Sequence, residues 1–343
     1  MSEWNWQESF TQTEWERQAS AFLDYNLYQS WAYLHARAAG RRETLKPLCL
    51  RYGEEVCLMA HLRIIRLPLA RLKVGYVRWG PMMRKTQSLD SIPIEALQQL
   101  RSFLIPRVVH VARIIPNLYT AEVPSSWKED FLKAGWKPAG IAPYHTVLFP
   151  LDLSEEEMRK RPCRTWRANL KKAEQAGLSV VESLDPSIWG ILEELYRTSQ
   201  KRKGFRGLDL REYARTQEML LDHQKMKMVM VTENGVPLTV DVNSCFGDTS
   251  LGLFQSTSER GYEVLSSYLA WWKSLLSAKR AGMRRYDLGG VDPKRNPSVY
   301  QFKRRIGGEE AKQIGGFDAC ANPAIEWIWK TISRVHEWKK SLA

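Results

Sequence analysis

Two stretches of this chain run through a similar succession of patterns, and that duplication limits the fold more than any other feature. The first has helical periodicity over Glu14–Tyr25 and Tyr28–Gly40, then strand-like apolar runs at Leu48–Tyr52, Val56–Leu67 and Lys73–Trp79. A helix at Ile94–Phe103, a strand at Val108–Ile115 and a short helix at Trp127–Ala134 follow. The second stretch opens with a strand at Thr146–Leu151 and a basic helix over Glu155–Ala176. Strand Leu178–Glu182, helices Ile188–Lys203 and Leu210–Lys225, and strands Met226–Thr232, Val236–Phe246 and Ser250–Ser256 come next. Helix Gly261–Ala281 and strand Arg285–Leu288 complete it. Strands interleaved with packed helices in both stretches predict an α/β (α+β) protein with a mixed sheet in each of two lobes. The length of 343 residues exceeds the ~100–200 of one ordinary domain and agrees.

Local signals refine this outline. Asn234-Gly235 between two strand-like runs predicts a tight hairpin, and Asp209 with Glu212 has capping-box spacing. After Gly307-Gly308 a strand-like Ala311–Phe317 leads to a final helix, for which Asn322 is a suitable N-cap and Pro323 a suitable first residue. Its apolar stripe is Ile325, Ile328, Trp329, Ile332, Val335 and Trp338, with Lys330, Arg334, Lys339 and Lys340 on the other face. Such a stripe reads first as a helix docked on a core; a peripheral membrane contact is the second reading, since Trp and Lys favour lipid interfaces. The expected divisions are 1–145, 146–306 and 307–343.

Charge narrows the choice of partner. Lys and Arg number 51 against 38 Asp and Glu, a net of +13, and the excess is local. Residues 159–172, 197–211 and 279–305 together hold 22 basic and 3 acidic residues, so the rest of the chain is net acidic. Three basic windows in one lobe suit a surface that tracks phosphates. No DNA-reading signature accompanies them, so a DNA partner is not expected, and a structured RNA end or a pyrophosphate fits better. The five cysteines are odd in number with no C-x-x-C spacing, and the six histidines show no ligand pattern. Neither a disulfide framework nor a metal site is expected. The first residues carry acids and no basic region followed by an apolar one, and no apolar run approaches the ~18 residues of a transmembrane helix. A cytoplasmic protein is expected.

The most informative stretch is Ala281-Gly-Met-Arg-Arg-Tyr-Asp-Leu-Gly-Gly-Val-Asp-Pro293, followed by Tyr300-Gln-Phe-Lys-Arg-Arg-Ile-Gly307. A strand ending at Asp287 meets Gly289-Gly290, which permits a sharp turn and close ligand approach. A loop with Asp292, Pro293 and Pro297 then leads to Phe302 and Lys303, so an acid, bare backbone, an aromatic face and a cation converge on one cleft. This pair of segments resembles the C-terminal motif of the Fem-type (FemABX) aminoacyltransferases, with its Asp-x-x-Gly turn and Phe-Lys-x-x-[Phe/Ile]-Gly segment. Tyr28-Gln29-Ser30 with Arg37 resembles the family's early Gln-Ser helix, and Tyr76-Val-Arg-Trp-Gly-Pro81 its Tyr-x-Pro-Arg-Gly-Pro strand end. Arg164 to Gly177 resembles its basic helix before a strand. Two departures stand out: Arg37 replaces the usual Lys, and Arg78-Trp79 replaces the usual Pro-Arg.

The resemblance implies two tandem acetyltransferase-like (GNAT) lobes, with the C-terminal strand and helix returning to the first. No long helical hairpin is present in the second lobe, which implies the compact FemX-like branch. It implies transfer of an amino acid from aminoacyl-tRNA to the stem peptide of a peptidoglycan precursor, either UDP-MurNAc-pentapeptide or lipid II. No cofactor is implied, a monomer is expected, and a peripheral place at the inner membrane face would suit a lipid-linked acceptor. Phe302 would stack on the terminal adenosine, with Lys303 and Arg304 steadying the tRNA end and Lys303 also the developing negative charge. Asp287 is a candidate to orient the incoming amine, with capping of the Gly-Gly turn as its plainer role. Arg37 and Arg206 would hold the acceptor's phosphates. Tyr76, Tyr144 and Tyr196 could line a cleft, although core packing is the simpler role for each. The alternatives are an acyl-CoA-dependent N-acyltransferase of the GNAT fold and a non-catalytic RNA-binding protein. Against the first, Gln255 to Glu263 offers only Gly261 and places Glu259 and Glu263 where a pyrophosphate would lie.

Overall fold

The structure, a computed structural model, describes residues 3–67, 71–203 and 209–342. It divides into two compact units, Met1–Tyr144 with Lys312–Ala343, and His145–Ala311. Among the described residues the strands are β1 (Trp4–Gln7), β2 (Glu43–Tyr52), β3 (Glu55–Leu67), β4 (Leu72–Arg78), β5 (Val111–Ile115), β6 (Lys137–Pro138) and β7 (His145–Pro150). They continue as β8 (Ser179–Ser183), β9 (Lys227–Glu233), β10 (Val236–Phe246), β11 (Thr249–Thr257), β12 (Arg285–Asp287), β13 (Glu309–Lys312) and β14 (Phe317–Cys320). The first unit's sheet has the order β1-β2-β3-β4-β5-β14-β6, and the second unit's the order β13-β7-β12-β11-β10-β9-β8. In each, a parallel pair sits among antiparallel neighbours: β4 with β5, and β11 with β12. The expected class of two mixed sheets flanked by helices holds.

Local chemistry explains the well-anticipated elements. Asn234 and Gly235 both adopt positive φ, +49° and +81°, the conformation a two-residue hairpin between β9 and β10 demands. Asn322 Oδ1 accepts the Ile325 amide at 2.9 Å and starts the helix Pro323–Leu342. The stripe Ile325, Ile328, Trp329 and Ile332 packs on Leu72, Val74 and Val111 of β4 and β5. That face is therefore docked. Each unit has its own apolar core, built around Leu50, Leu97, Phe131 and Trp136 in the first and Phe149, Trp166, Leu275 and Tyr286 in the second.

Several elements differ from the sequence reading. The basic helix is two, Glu155–Lys160 and Arg164–Gln175, because Pro162 lacks the amide that continuity requires. The helix expected over 261–281 is split into Glu259–Glu263 and Ser266–Arg280 by Leu265 at φ +60°. The strand expected at 311–317 is divided between the two sheets as β13 and β14. Gly315, at φ +91°, breaks it. Pro297, expected on the loop that leads to Phe302 and Lys303, instead opens a helix, Pro297–Arg304, that carries both, with Asn296 as N-cap.

One buried charge pair joins β14 to β5. Arg113 donates from Nε and Nη2 to the two carboxylate oxygens of its register partner Asp318, each at 2.7 Å. The Trp329 indole donates to the same carboxylate at 2.8 Å, and the guanidinium lies 4.8 Å from the indole ring centre. Asp318→Ala would leave a buried guanidinium without its carboxylate. We expect a loss of about 3–5 kcal/mol, as for other broken buried pairs, read by urea unfolding followed by tryptophan fluorescence. Asp318→Asn, which keeps an acceptor, should lose less.

Candidate active site

β12 is only three residues long, and it pairs in parallel with Thr249–Leu251 of β11 while β11 continues to Thr257. Beyond Leu251 the two strands part. The gap holds a cavity of about 470 Å³ whose walls include Gly252 to Gln255 of β11, Tyr268 and Trp271 of the helix Ser266–Arg280, and Leu288. Ser298, Val299, Phe302 and Lys303 of the helix Pro297–Arg304 close another side, since residues three and four apart share a helical face.

The turn after β12 is tightly built. Gly289 has φ +81°, and a Cβ there would stand 2.9 Å from the Gly252 carbonyl oxygen and 3.2 Å from Lys303 Nζ. Asp287 is fully buried, and its Oδ1 accepts the Gly289 amide at 2.8 Å. The Thr146 hydroxyl donates to the same carboxylate and lies 3.0 Å from the Gly289 carbonyl oxygen. Lys303 Nζ donates to the carbonyls of Gly289 and Gly290 at 3.1 and 3.2 Å. Burial pushes the Lys303 ammonium down to about 8, against the charges of Asp287 and Asp241, which favour it.

Asp241, which the sequence reading passed over, is the second charged wall of the cavity. It sits on β10 at 1% exposure and accepts from Ser274 Oγ at 2.6 Å, Gln255 Nε2 at 3.4 Å and the Tyr286 hydroxyl at 3.5 Å. Burial pushes its carboxyl up to about 7, although these hydrogen bonds and the Lys303 charge oppose the shift. The signal was present: one Asp between two valines in the Leu-Thr-Val-Asp-Val run of a central strand. Such a residue must be satisfied inside the core or face a ligand.

Of the residues singled out in sequence, Lys303, Phe302 and Asp287 come together here. Phe302 lines the cavity, edge-on to Tyr268 at 5.1 Å between ring centres and 6.5 Å from Trp166. Arg304 is exposed, with Nε 3.7 Å from Glu310, and does not line the cavity. Asp287 is enclosed by the turn it caps, so it reaches the cavity through Lys303. Arg37 belongs to the first unit, on the helix Trp31–Ala38. There its charge, after burial, helps hold the Arg63 guanidinium below its usual range, while Glu43 opposes at 3.3 Å. Tyr76 faces Arg63 at 5.4 Å, Tyr144 packs edge-on to Trp79, and Tyr196 stands 6.5 Å from Phe254. Arg206 lies outside the described residues.

Residues 211–334 match the model of the FemAB family. No curated protein matches the chain in sequence. Among solved structures, FemX shares the fold at a TM-score of 0.83 with 16% identity, over 95% of this chain and all of that one. The chain is also similar to a tandem GNAT protein of the clavulanic acid biosynthesis pathway, at a TM-score of 0.50 and 12% identity, over 94% of this chain and 99% of that one. At the same TM-score and 9% identity it resembles the C-terminal domain of a putative lysylphosphatidylglycerol synthetase from Agrobacterium fabrum, over 90% and 92% of the two chains.

The electrostatics of the turn are directly measurable. The pH dependence of Lys303 labelling by an amine-selective reagent, followed by mass spectrometry, should show a midpoint near 8. Surface lysines should titrate near about 10.4. Asp287 favours the ammonium, so Asp287→Asn should move the Lys303 midpoint to lower pH. A Lys303 midpoint with the surface lysines would refute the burial account.

Proposed function

We propose that this chain, whose residues 211–334 match the FemAB family and whose fold is shared with FemX, is a Fem-type aminoacyltransferase. On this reading it moves an amino acid from aminoacyl-tRNA to an amine of a peptidoglycan-precursor stem peptide. The observation that carries the proposal is Lys303, held by two backbone carbonyls at the wall of an aromatic cavity.

An aminoacyl ester is already activated, so a free amine attacks its carbonyl without a covalent enzyme intermediate. The new C–N bond forms, the carbonyl oxygen takes the negative charge, and the C–O bond to the ribose then breaks. The proton lost from the amine ends on the ribose oxygen. The protein must hold ester and amine together and stabilise the oxyanion. Lys303 supplies that stabilisation: its Nζ is fixed by the Gly289-Gly290 turn, so little reorganisation accompanies charge development. Phe302, on the cavity wall, would stack on the terminal adenosine. Asp287 acts as a positioning residue through the turn and the Lys303 charge, and does not orient the amine itself.

The basic windows suit the RNA. Arg164, Lys171 and Lys172 are exposed on one helix, and Lys294 and Arg295 on the loop entering the helix of Lys303. Arg304 extends the positive surface of that helix. Arg37, beside Arg63, is the phosphate ligand we assign to the acceptor, with Arg206 as a second. A membrane-bound acceptor would be met from the surface, since among the described residues no helix is long and apolar enough to cross a membrane. Trp327, 71% exposed on the last helix, would suit such a contact.

The acyl-CoA reading lacks a phosphate cradle. The Gly261 amide is taken by Ser258 Oγ at 3.1 Å, and a Cβ at Gly261 would meet the Leu238 carbonyl oxygen at 2.8 Å. Close packing therefore accounts for that glycine. In a transfer assay with charged total tRNA and UDP-MurNAc-pentapeptide or lipid II, ribonuclease should abolish transfer. Transfer from acetyl-CoA that survives ribonuclease would overturn the proposal. Lys303→Ala should lower kcat by roughly 10²–10³, as for loss of one oxyanion donor, with little change in thermal stability. Loss of the fold in that variant would mark Lys303 as structural instead.

A further inference from the structure

A carboxylate in the middle of a central strand needs either an internal cation or a ligand to justify its burial. Asp241 is hydrogen-bonded only by neutral groups among the described residues: the Ser274 hydroxyl, the Gln255 amide and the Tyr286 phenol. The cation nearest in effect, Lys303, directs its ammonium to the carbonyls of Gly289 and Gly290. Asp241 therefore lines the cavity as a held, oriented carboxyl group, which a cationic ligand would keep ionised. Around it stand the faces and edges of Phe254, Tyr268, Trp271 and Phe302. Aromatic rings beside a carboxylate attract an ammonium group and repel a phosphate. Within a unit so rich in basic residues, this is a site of the opposite sign, and the surrounding cations do not explain it.

Resting on the reading of the cavity as the donor site, we infer that Asp241 receives the primary ammonium of the donor's aminoacyl group. The ester is then gripped at two points. Lys303 faces its carbonyl oxygen, and the more deeply buried Asp241 binds the ammonium through a charge-assisted hydrogen bond. That ammonium is carried by the α-carbon or by an amine-bearing side chain; both offer the same chemistry, and the donor series below separates them. The arrangement makes the protein selective for aminoacyl over hydroxyacyl or N-acylated donors. It also gives a positive reason why a phosphate-bearing acyl carrier has no place deep in this cavity.

The test uses the full chain and the amino acid that it transfers from charged total tRNA. That amino acid is offered as aminoacyl-tRNA and as the matching α-hydroxyacyl-tRNA, which lacks the α-ammonium. Because the ammonium itself makes the ester more electrophilic, each kcat/KM is divided by that donor's rate with hydroxylamine in solution before the two are compared. If the amino acid has a side-chain amine, a third donor carries it acetylated. We expect kcat/KM to fall about 10- to 100-fold for the donor lacking the recognised ammonium, the range of a lost hydrogen bond to a charged group. In Asp241→Asn, which keeps the shape of the side chain, the aminoacyl donor should lose its advantage and the ratio approach one. Equal use of all donors by the wild-type protein would overturn the inference, and needs no variant to fold. A wild-type preference that survives in Asp241→Asn would also overturn it. Absence of transfer from any charged tRNA is a different result, which defeats the functional proposal itself.

Discussion

The early end of β12 is the constraint on which the candidate site depends. Three residues of parallel pairing with β11 are followed by a glycine turn, while β11 runs on for six more residues. Backbone groups of Gly252 to Gln255 are thereby turned toward a cavity instead of a neighbouring strand on that side. In an ordinary sheet such a gap would be filled by another strand. Here it is walled by aromatic side chains and by the helix Pro297–Arg304, whose cationic side chain closes onto the turn.

Charge in this region is arranged by burial as much as by proximity. Asp241 and Lys303 interact across a poorly solvated space, and burial disfavours the charged form of both. Asp287 is satisfied by a backbone amide and a hydroxyl, which makes it part of the turn. Lys303 is satisfied by carbonyl oxygens, which leaves its charge available to a ligand. Asp241 is satisfied by neutral donors, so its charge is likewise available. Two opposite charges held apart on one cavity form a dipole ready for a polar substrate, and that is the physical basis of both the functional proposal and the ammonium site.

Much of the fold was legible because local rules agreed with the tertiary result. The Asn234-Gly235 turn, the Asn322-Pro323 start and the stripe of the last helix each rest on residues a few positions apart. The misreadings have equally local causes or none. Pro162 was present to be read, and interrupts the basic helix as proline should. The helix that carries Phe302 and Lys303 was likewise signalled locally, by Asn296 as N-cap and Pro297 at its first position, whereas no local residue type announces Leu265 at positive φ. The assignment of β13 and β14 to separate sheets is a long-range choice that periodicity does not encode.

The sequence alone determined the two mixed-sheet lobes, the concentration of positive charge, and the Asp-Leu-Gly-Gly and Phe-Lys segments in which the chain resembles the Fem-type enzymes. These are matters of spacing and composition, readable wherever backbone conformation and side-chain periodicity are short-range. Only the tertiary structure decided that Lys303 points to the turn carbonyls, that Asp287 is enclosed, and that Asp241 shares a cavity with Lys303 from 62 residues earlier in the chain. Burial, hydrogen-bond direction and pairing between distant strands arise from the packed whole, and they separate a structural carboxylate from one that faces a ligand.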